Sequence, residues 1–311
     1  MDHVLLDMLV TGLPLVPVFL GIYTVFRIRT DFDLTVEGSF VTGGSVCAVT
    51  LVHGWPAWTA LVAGTAAGAA AGLVTALLHL LLRVPVLLAG LVMSIGLFSV
   101  NLRILDMPTV SIDTSSTLFG AFGSLSGTRA DLATAGVMAA VVALVFAAFG
   151  LFLRTELGLA MRATGVNTRM ARSQGVNDRA LTVLVLVIAN ALAGLGAGLA
   201  VQYQGYADVN MGAGTFVSGV GAVLLGELLL RPTASRLLRI LACVLVGTLA
   251  YRLILVGALR AGLPAGDLKG ITALTLIVAI AADRYLGLAG QLVKSVGAAR
   301  SSVGLRSREA N

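Results

Sequence analysis

The chain alternates long apolar runs with short polar breaks. Nine runs approach the length of a bilayer crossing: residues 4–26, 34–52, 57–82, 85–105, 130–153, 181–202, 212–230, 238–259 and 268–287. A helix needs roughly 20 apolar residues to cross the hydrocarbon, and lipid leaves no alternative partner for its backbone amides. The pattern therefore predicts transmembrane helices. The 34–52 run is entered through LTVEGSF, and its Glu37 and Gly38 do not suit a lipid-facing helix. A broken or re-entrant second helix is expected there.

Small residues recur inside the runs. Gly64, Gly68 and Gly72 are spaced by four, as are Gly194 and Gly198. This spacing lets helix backbones approach closely, which matters where no hydrophobic effect drives helices together. A second regularity is an echo: GSFVTG at 38–43 returns as GTFVSG at 214–219, an offset of 176 that superposes runs three and four on runs eight and nine. Charge-based topology turns the two echoed runs in opposite directions. That predicts an inverted repeat, a plan in which a transport pathway lies at the repeat interface.

Composition strengthens the membrane reading. Only 12% of residues are charged and 58% are hydrophobic, whereas a soluble domain carries about 25% charged residues to cover its core. The fold class is an all-α polytopic membrane protein. Residues 1–287 form one transmembrane domain with a polar loop at 154–180. The basic, serine-rich tail, 288–311, is expected to be disordered. Met1–Asp7 lacks the basic start of a cleavable signal peptide.

The net charge of +6 does not indicate nucleic acid, because the arginines punctuate apolar segments instead of forming one face. Sixteen of the 21 basic residues fall in 27–33, 83–84, 154–180 and 231–237, at Arg239 and Arg284, and in the tail; Arg103, Arg129, Arg252, Arg260 and Lys269 are the other five. By the positive-inside rule the first group is cytoplasmic. The N-terminus is then outside and the C-terminus inside.

Candidate chemistry is sparse. No HExxH, GxSG, GxGD or GxxxxGK[ST] motif occurs, so neither an intramembrane protease nor a P-loop nucleotidase is indicated, and no catalytic residue is assigned. His3, His53 and His79 are isolated, which leaves no metal site. Cys47 and Cys243 lie in apolar runs and read as buried thiols. Ionisable groups within or beside the runs are Glu37, Arg103, Glu227 and Arg252, with Asp208 between runs six and seven. Such groups pair, face a cavity or mark a pathway. Glu227 and Arg103 suit snorkelling at run ends, whereas Glu37 and Arg252 suit either a structural ion pair or a substrate contact.

Four separated stretches, LTVEGSFVTGGSV, LLAGLVMSIGLFSVNLRIL, RTELGLAMRATGVNTRMARSQGVN and VQYQGYADVNMGAGT, resemble bacterial ABC-transporter permeases. The resemblance is to those serving tryptophan/tyrosine-type binding proteins, within the branched-chain amino acid and ribose permease group, and it covers roughly residues 5–285. It implies an importer subunit of the bacterial cytoplasmic membrane that is not itself an enzyme. The substrate class that the resemblance implies is a small polar solute such as an amino acid, aromatic ones included. ATP and Mg would be held by a separate ATPase subunit, with no cofactor on this chain. The implied partners are that ATPase, an extracytoplasmic substrate-binding protein, a second permease copy and membrane lipid. On the matching motifs, Glu37, Gly38, Ser39, Phe40, Asn101, Arg103, Gln204, Asp208, Asn210 and Met211 are expected along the substrate route. Leu159–Val176 is expected to be the helix that docks on the ATPase, through Leu159, Arg162, Ala163, Gly165, Asn167, Arg169, Met170, Arg172 and Gly175. An ion-gradient-driven transporter without an ATPase is the alternative.

Overall fold

The computed structural model describes residues 2–122, 128–230 and 237–282. The tail at 288–311 and the last residues of the ninth run lie outside them. Each apolar run is helical within the described residues. The first forms α1 (Asp2–Gly12) and α2 (Leu15–Tyr23), and the next four form α3 (Thr35–Val52), α4 (Ala57–Leu82), α5 (Val86–Leu105) and α6 (Thr128–Phe152). Two short helices, α7 (Glu156–Val166) and α8 (Thr168–Ser173), follow. Then come α9 (Asp178–Gln204), α10 (Thr215–Leu230), α11 (Leu237–Arg260) and α12 (Leu268–Ala282).

Six helices, α3, α4, α5, α6, α9 and α11, are long and apolar enough to cross a membrane. The bent pair of α1 and α2 makes a seventh, while α10 and α12 are shorter apolar helices. The fold is thus an all-α polytopic membrane bundle, but among the described residues it does not contain nine full-length spans. Beside the helices, β1 (Thr109–Ser111) and β2 (Tyr206–Asp208) form an antiparallel ribbon, with Val110 opposite Ala207.

The expected break falls in a different helix. α3 is continuous from Thr35 to Val52, and the chain bends by 55° between α1 and α2 instead. The cause of the bend is local. Pro14 and Pro17 have no amide hydrogen to donate, and a proline ring clashes with the preceding turn of a helix. Glu37 does not break α3 because its helix is internal: most of α3 is buried, and the Glu37 carboxylate meets backbone amides across the bundle. After Tyr23 the first span continues as a π-helical segment, Thr24–Arg29, which ends with Thr30 in the left-handed region at φ 63°. Single π turns of this kind often accompany functional positions.

α9 is the axis of the bundle and packs against α2, α3 and α4. The glycine stripe of α4 makes that approach possible. A Cβ on Gly72 would lie 2.5 Å from the Leu186 carbonyl oxygen, one on Gly64 2.5 Å from the Gly43 carbonyl oxygen, and one on Gly194 2.5 Å from the Gly64 carbonyl oxygen. Backbone is therefore packed on backbone where α3, α4 and α9 meet. The echoed segments occupy matching places. Gly43 of α3 presses on α9, while Gly219 of α10 presses on Phe19 and Ile22 of α2. α4 packs on α9 and α11 on α2, and α2 and α9 pack on each other. The two echoed units thus each pack on the helix that precedes the other in the bundle, α3–α4 on α9 and α10–α11 on α2.

Candidate functional site

Two regions at opposite ends of the bundle gather the polar chemistry. We name them by their contents: the basic end carries α7 and α8, and the ribbon end carries β1 and β2.

At the basic end three asparagine or threonine caps cut the polar island into short helices. Thr155 Oγ1 accepts the Gly158 amide and Asn167 Oδ1 the Met170 amide, while Asn177 Oδ1 accepts the Ala180 amide at the start of α9. Gly175, at φ 85°, follows α8 in the left-handed region that glycine tolerates best. Gly165 lies directly against the Ile28 carbonyl of the π-helical segment, leaving no room for a Cβ. An ion-pair network crosses the same junction. Arg29 Nη1 lies 2.6 Å from Asp178 Oδ1, and Arg29 Nη2 donates to Thr182 Oγ1 at 2.6 Å. Asp178 Oδ2 accepts from Arg172 Nη2 at 2.7 Å. One arginine thereby ties the end of the bent first span to α7 through Thr164, and to α9.

Of the three arginines of 159–176, two are engaged within the chain: Arg172 with Asp178, and Arg162 with the Leu153 carbonyl oxygen at 3.3 Å. The outward surface is more apolar than the charge pattern suggests. Val166 is 90% exposed and Met170 63%, with Leu159, Ala163, Asn167 and Arg169 also exposed. Beside this site Glu227 is paired rather than snorkelling: Arg27 Nε donates to both of its carboxylate oxygens, at 2.7 and 2.9 Å. Asp33 is wholly buried, accepting from the Thr35 amide and from Asn190 Nδ2 at 2.9 and 2.7 Å. Burial pushes its carboxyl above the usual carboxylate range, against the lowering effect of those hydrogen bonds.

The ribbon end holds a cavity of about 610 Å³ between the α1–α2 bend, α9, α10, α11 and α12. Of the residues expected along the substrate route, Phe40, Gln204 and Met211 line it. Glu37 sits at its edge, where Oε1 accepts the amides of Gly214 and Phe216 at 3.1 and 3.3 Å and so caps the start of α10. No ion pair forms between Glu37 and Arg252; Arg252 faces the cavity instead. Gly38 packs on Leu97 and Ser94 of α5, and Ser39 and Asn101 are buried near that contact. Asp208 belongs to the ribbon, accepting from Thr109 Oγ1 and from the Asn210 amide. Arg103 is exposed near the end of α5, and the cavity does not include it. Four of the ten residues thus gather at the cavity, and the other six lie in packing contacts, the ribbon or the surface.

Comparison with known proteins decides the family. The family described as branched-chain amino acid transport system / permease component matches residues 4–282. The chain belongs to that permease family. It is similar to the "Tyrosine transport system permease protein" of Clostridioides difficile (strain R20291), with 30% identity over 262 residues that cover 84% of this chain and 85% of that protein. It is also 30% identical, over 281 residues, to an uncharacterized protein of Rickettsia prowazekii (strain Madrid E), covering 89% of this chain and 97% of the relative. No solved structure matches it. This permease is accordingly the membrane component of a transport system, and the tyrosine-type resemblance of its motifs agrees with that assignment.

Arg29 and Asp178 are the permease's residues that sequence reasoning missed. RIRTDFD was read only for its charge, although a carboxylate opening α9 after the Asn177 cap is a recognisable anchor for such an arginine. Arg29→Met will leave Asp178 buried with one partner instead of two. The expected loss is about 2 kcal/mol or more, the scale of a hydrogen bond between charged groups. The midpoint of thermal unfolding of the purified permease should fall, and transport should fall further than folded yield. Parent-like melting and transport would show that the network does not matter.

Proposed function

We propose that the permease is the transmembrane subunit of an ATP-driven importer in a bacterial cytoplasmic membrane, and that it carries an amino acid inward. The basic end is then cytoplasmic, and α7–α8 is the surface on which a separate ATPase subunit docks. The ribbon end faces outward, toward a substrate-binding protein, with α1 beginning on that side. A second copy of the permease completes the membrane unit. ATP and Mg belong to the ATPase. Route residues are Glu37, Phe40, Gln204 and Met211 at the cavity.

The observation that carries this reading is the construction of the basic end. Val166, Met170 and Arg169 stand on short, capped helices that project from the bundle, while Gly165 and Arg29 fix those helices to the first span and to α9. A partner that pulls on the projecting surface moves two helices that reach the cavity at the other end. An ordinary connecting loop has no need of a protruding apolar surface or of this anchorage. The amino-acid class rests on the family description and on the transport named for the Clostridioides difficile relative.

Two linked measurements test it. In a background lacking Cys47 and Cys243, cysteines placed at exposed Ser116 and Ser173 should react with an impermeant maleimide from outside and from inside the cell, respectively. A tagged permease extracted in mild detergent should bring an ATPase subunit with it. Labelling of Ser173→Cys from outside would reverse the orientation. A permease that transports without any associated ATPase would end the reading.

A further inference from the structure

The cavity at the ribbon end contains an arginine that forms no ion pair among the described residues. Arg252 lies on α11, where its side-chain stem packs against Gly12 at the α1–α2 bend, 3.3 Å from the place a Cβ would occupy. Its Nε is buried and takes no hydrogen-bond partner. A guanidinium keeps its charge, and an unpaired one within a membrane bundle is expensive. Carboxylates on the surrounding helices are engaged elsewhere: Asp7 of α1 pairs with Arg260 at 2.6 Å, and Glu37 of α3 is held by the amides that open α10. Lys269, at the start of α12, adds a second positive group to the wall, close enough to the Glu37 carboxylate to be partly offset by it, which leaves Arg252 as the unpaired charge. The remainder is largely apolar and aromatic, with Phe40, Tyr203 and Tyr251 in the lining. About 610 Å³ lies within the range of small-molecule sites, and apolar walls with a few fixed polar groups are their usual construction.

We propose that this cavity is a carboxylate-binding site, in which Arg252, with Lys269 at the wall, holds the anionic group of the amino acid in transit while Phe40, Tyr203 and Tyr251 enclose its side chain. The site rests on the transport reading above and adds to it a binding step inside the permease itself. A guanidinium offers a planar pair of donors that matches a carboxylate, which an ammonium cannot reproduce. The bend between α1 and α2 supplies one wall: Thr11, Pro14 and Leu15 line the cavity, and Gly12 leaves room for the Arg252 stem. An anionic lipid headgroup shares this chemistry, so the test must separate the two sources.

The full-length permease is reconstituted in nanodiscs of phosphatidylcholine, and binding of radiolabelled L-tyrosine is compared with that of tyramine, which lacks the carboxylate. L-tyrosine should bind about tenfold or more tightly than tyramine, as expected for a charge-assisted pair. Arg252→Gln should weaken L-tyrosine about tenfold and leave tyramine unchanged, and Arg252→Lys should restore part of the difference. Should Arg252→Gln yield no monodisperse protein, Lys269→Gln, at an exposed position, should still weaken L-tyrosine measurably. Equal binding of L-tyrosine and tyramine, or no effect of either substitution, would overturn the site. Loss of L-tyrosine binding when phosphatidylglycerol is added to the nanodisc would assign the cavity to a lipid headgroup and would also overturn it. ATP-driven uptake of L-tyrosine without Arg252-dependent binding would remove this site and leave the transport reading standing. Absence of ATP-driven uptake of any amino acid would remove both.

Discussion

Gly194→Leu will leave almost no folded permease. A side chain at this position has nowhere to go: its Cβ alone would stand 2.5 Å from the Gly64 carbonyl oxygen and 3.3 Å from the Gly68 Cα. Both atoms are backbone, so α4 must move as a unit. α4 in turn carries Gly64 against α3 and Gly72 against α9, and a shift opens each of those contacts. Overpacking a soluble core costs about 1–3 kcal/mol, relieved in part by side-chain rearrangement. Here no side chain is available to give way, and close backbone packing is itself what holds helices together in lipid. We expect the monodisperse peak of detergent-extracted Gly194→Leu to fall to background, with Gly194→Ala intermediate. Gly96→Ala and Gly136→Ala are the controls, since nothing lies within 4 Å of a Cβ built at either. They should express like the parent. A Gly194→Leu protein with parent-like yield and melting would show that α4 and α9 do not meet as described.

The second large effect is at the opposite extreme, on function with the fold intact. Val166→Asp combined with Met170→Asp should abolish transport while leaving insertion and melting near those of the parent. Neither residue supports the bundle, because both are mostly exposed, and Asn167 between them keeps its cap on α8. Placed in an apolar groove of a partner, two carboxylates must be desolvated without a counter-charge, a penalty of several kcal/mol. The ATPase should be lost on purification. Arg169→Glu is expected to do less, because a rim charge acts chiefly on the rate of encounter. If the double aspartate variant retains its ATPase and transports normally, the docking surface lies elsewhere.

These predictions also separate what was readable in the chain from what was not. Lipid imposes a length on each helix, so the apolar runs mark the helices, and spacing by four exposes the α4 stripe directly. The bend was hidden because Gly12, Pro14 and Pro17 sit inside an apolar run whose hydropathy hardly registers them. Glu37 drew attention to α3 because a carboxylate looks foreign in a span. Its partners, the Gly214 and Phe216 amides, are 177 and 179 residues away, which no local pattern reveals. The basic end was recognised by its arginines, yet two of them serve the chain itself. Met170 was named there only through the family resemblance, and Val166 escaped notice because an apolar residue in a polar island looks like an interruption and becomes a contact only once a helix presents it. The cavity residue Arg252 was visible as an anomaly, but its missing partner could be established only from where Asp7 and Glu37 are held.

The central claim is that ATP, acting through a subunit on the basic end, drives an amino acid across this permease. Its most direct test is uptake of radiolabelled L-tyrosine into proteoliposomes containing the permease and its co-isolated ATPase, with the binding protein on one side and ATP on the other. Uptake should require ATP on the face that bears α7–α8, and should vanish with the Val166→Asp/Met170→Asp pair. Uptake driven by a sodium or proton gradient in liposomes that hold the permease alone would contradict it.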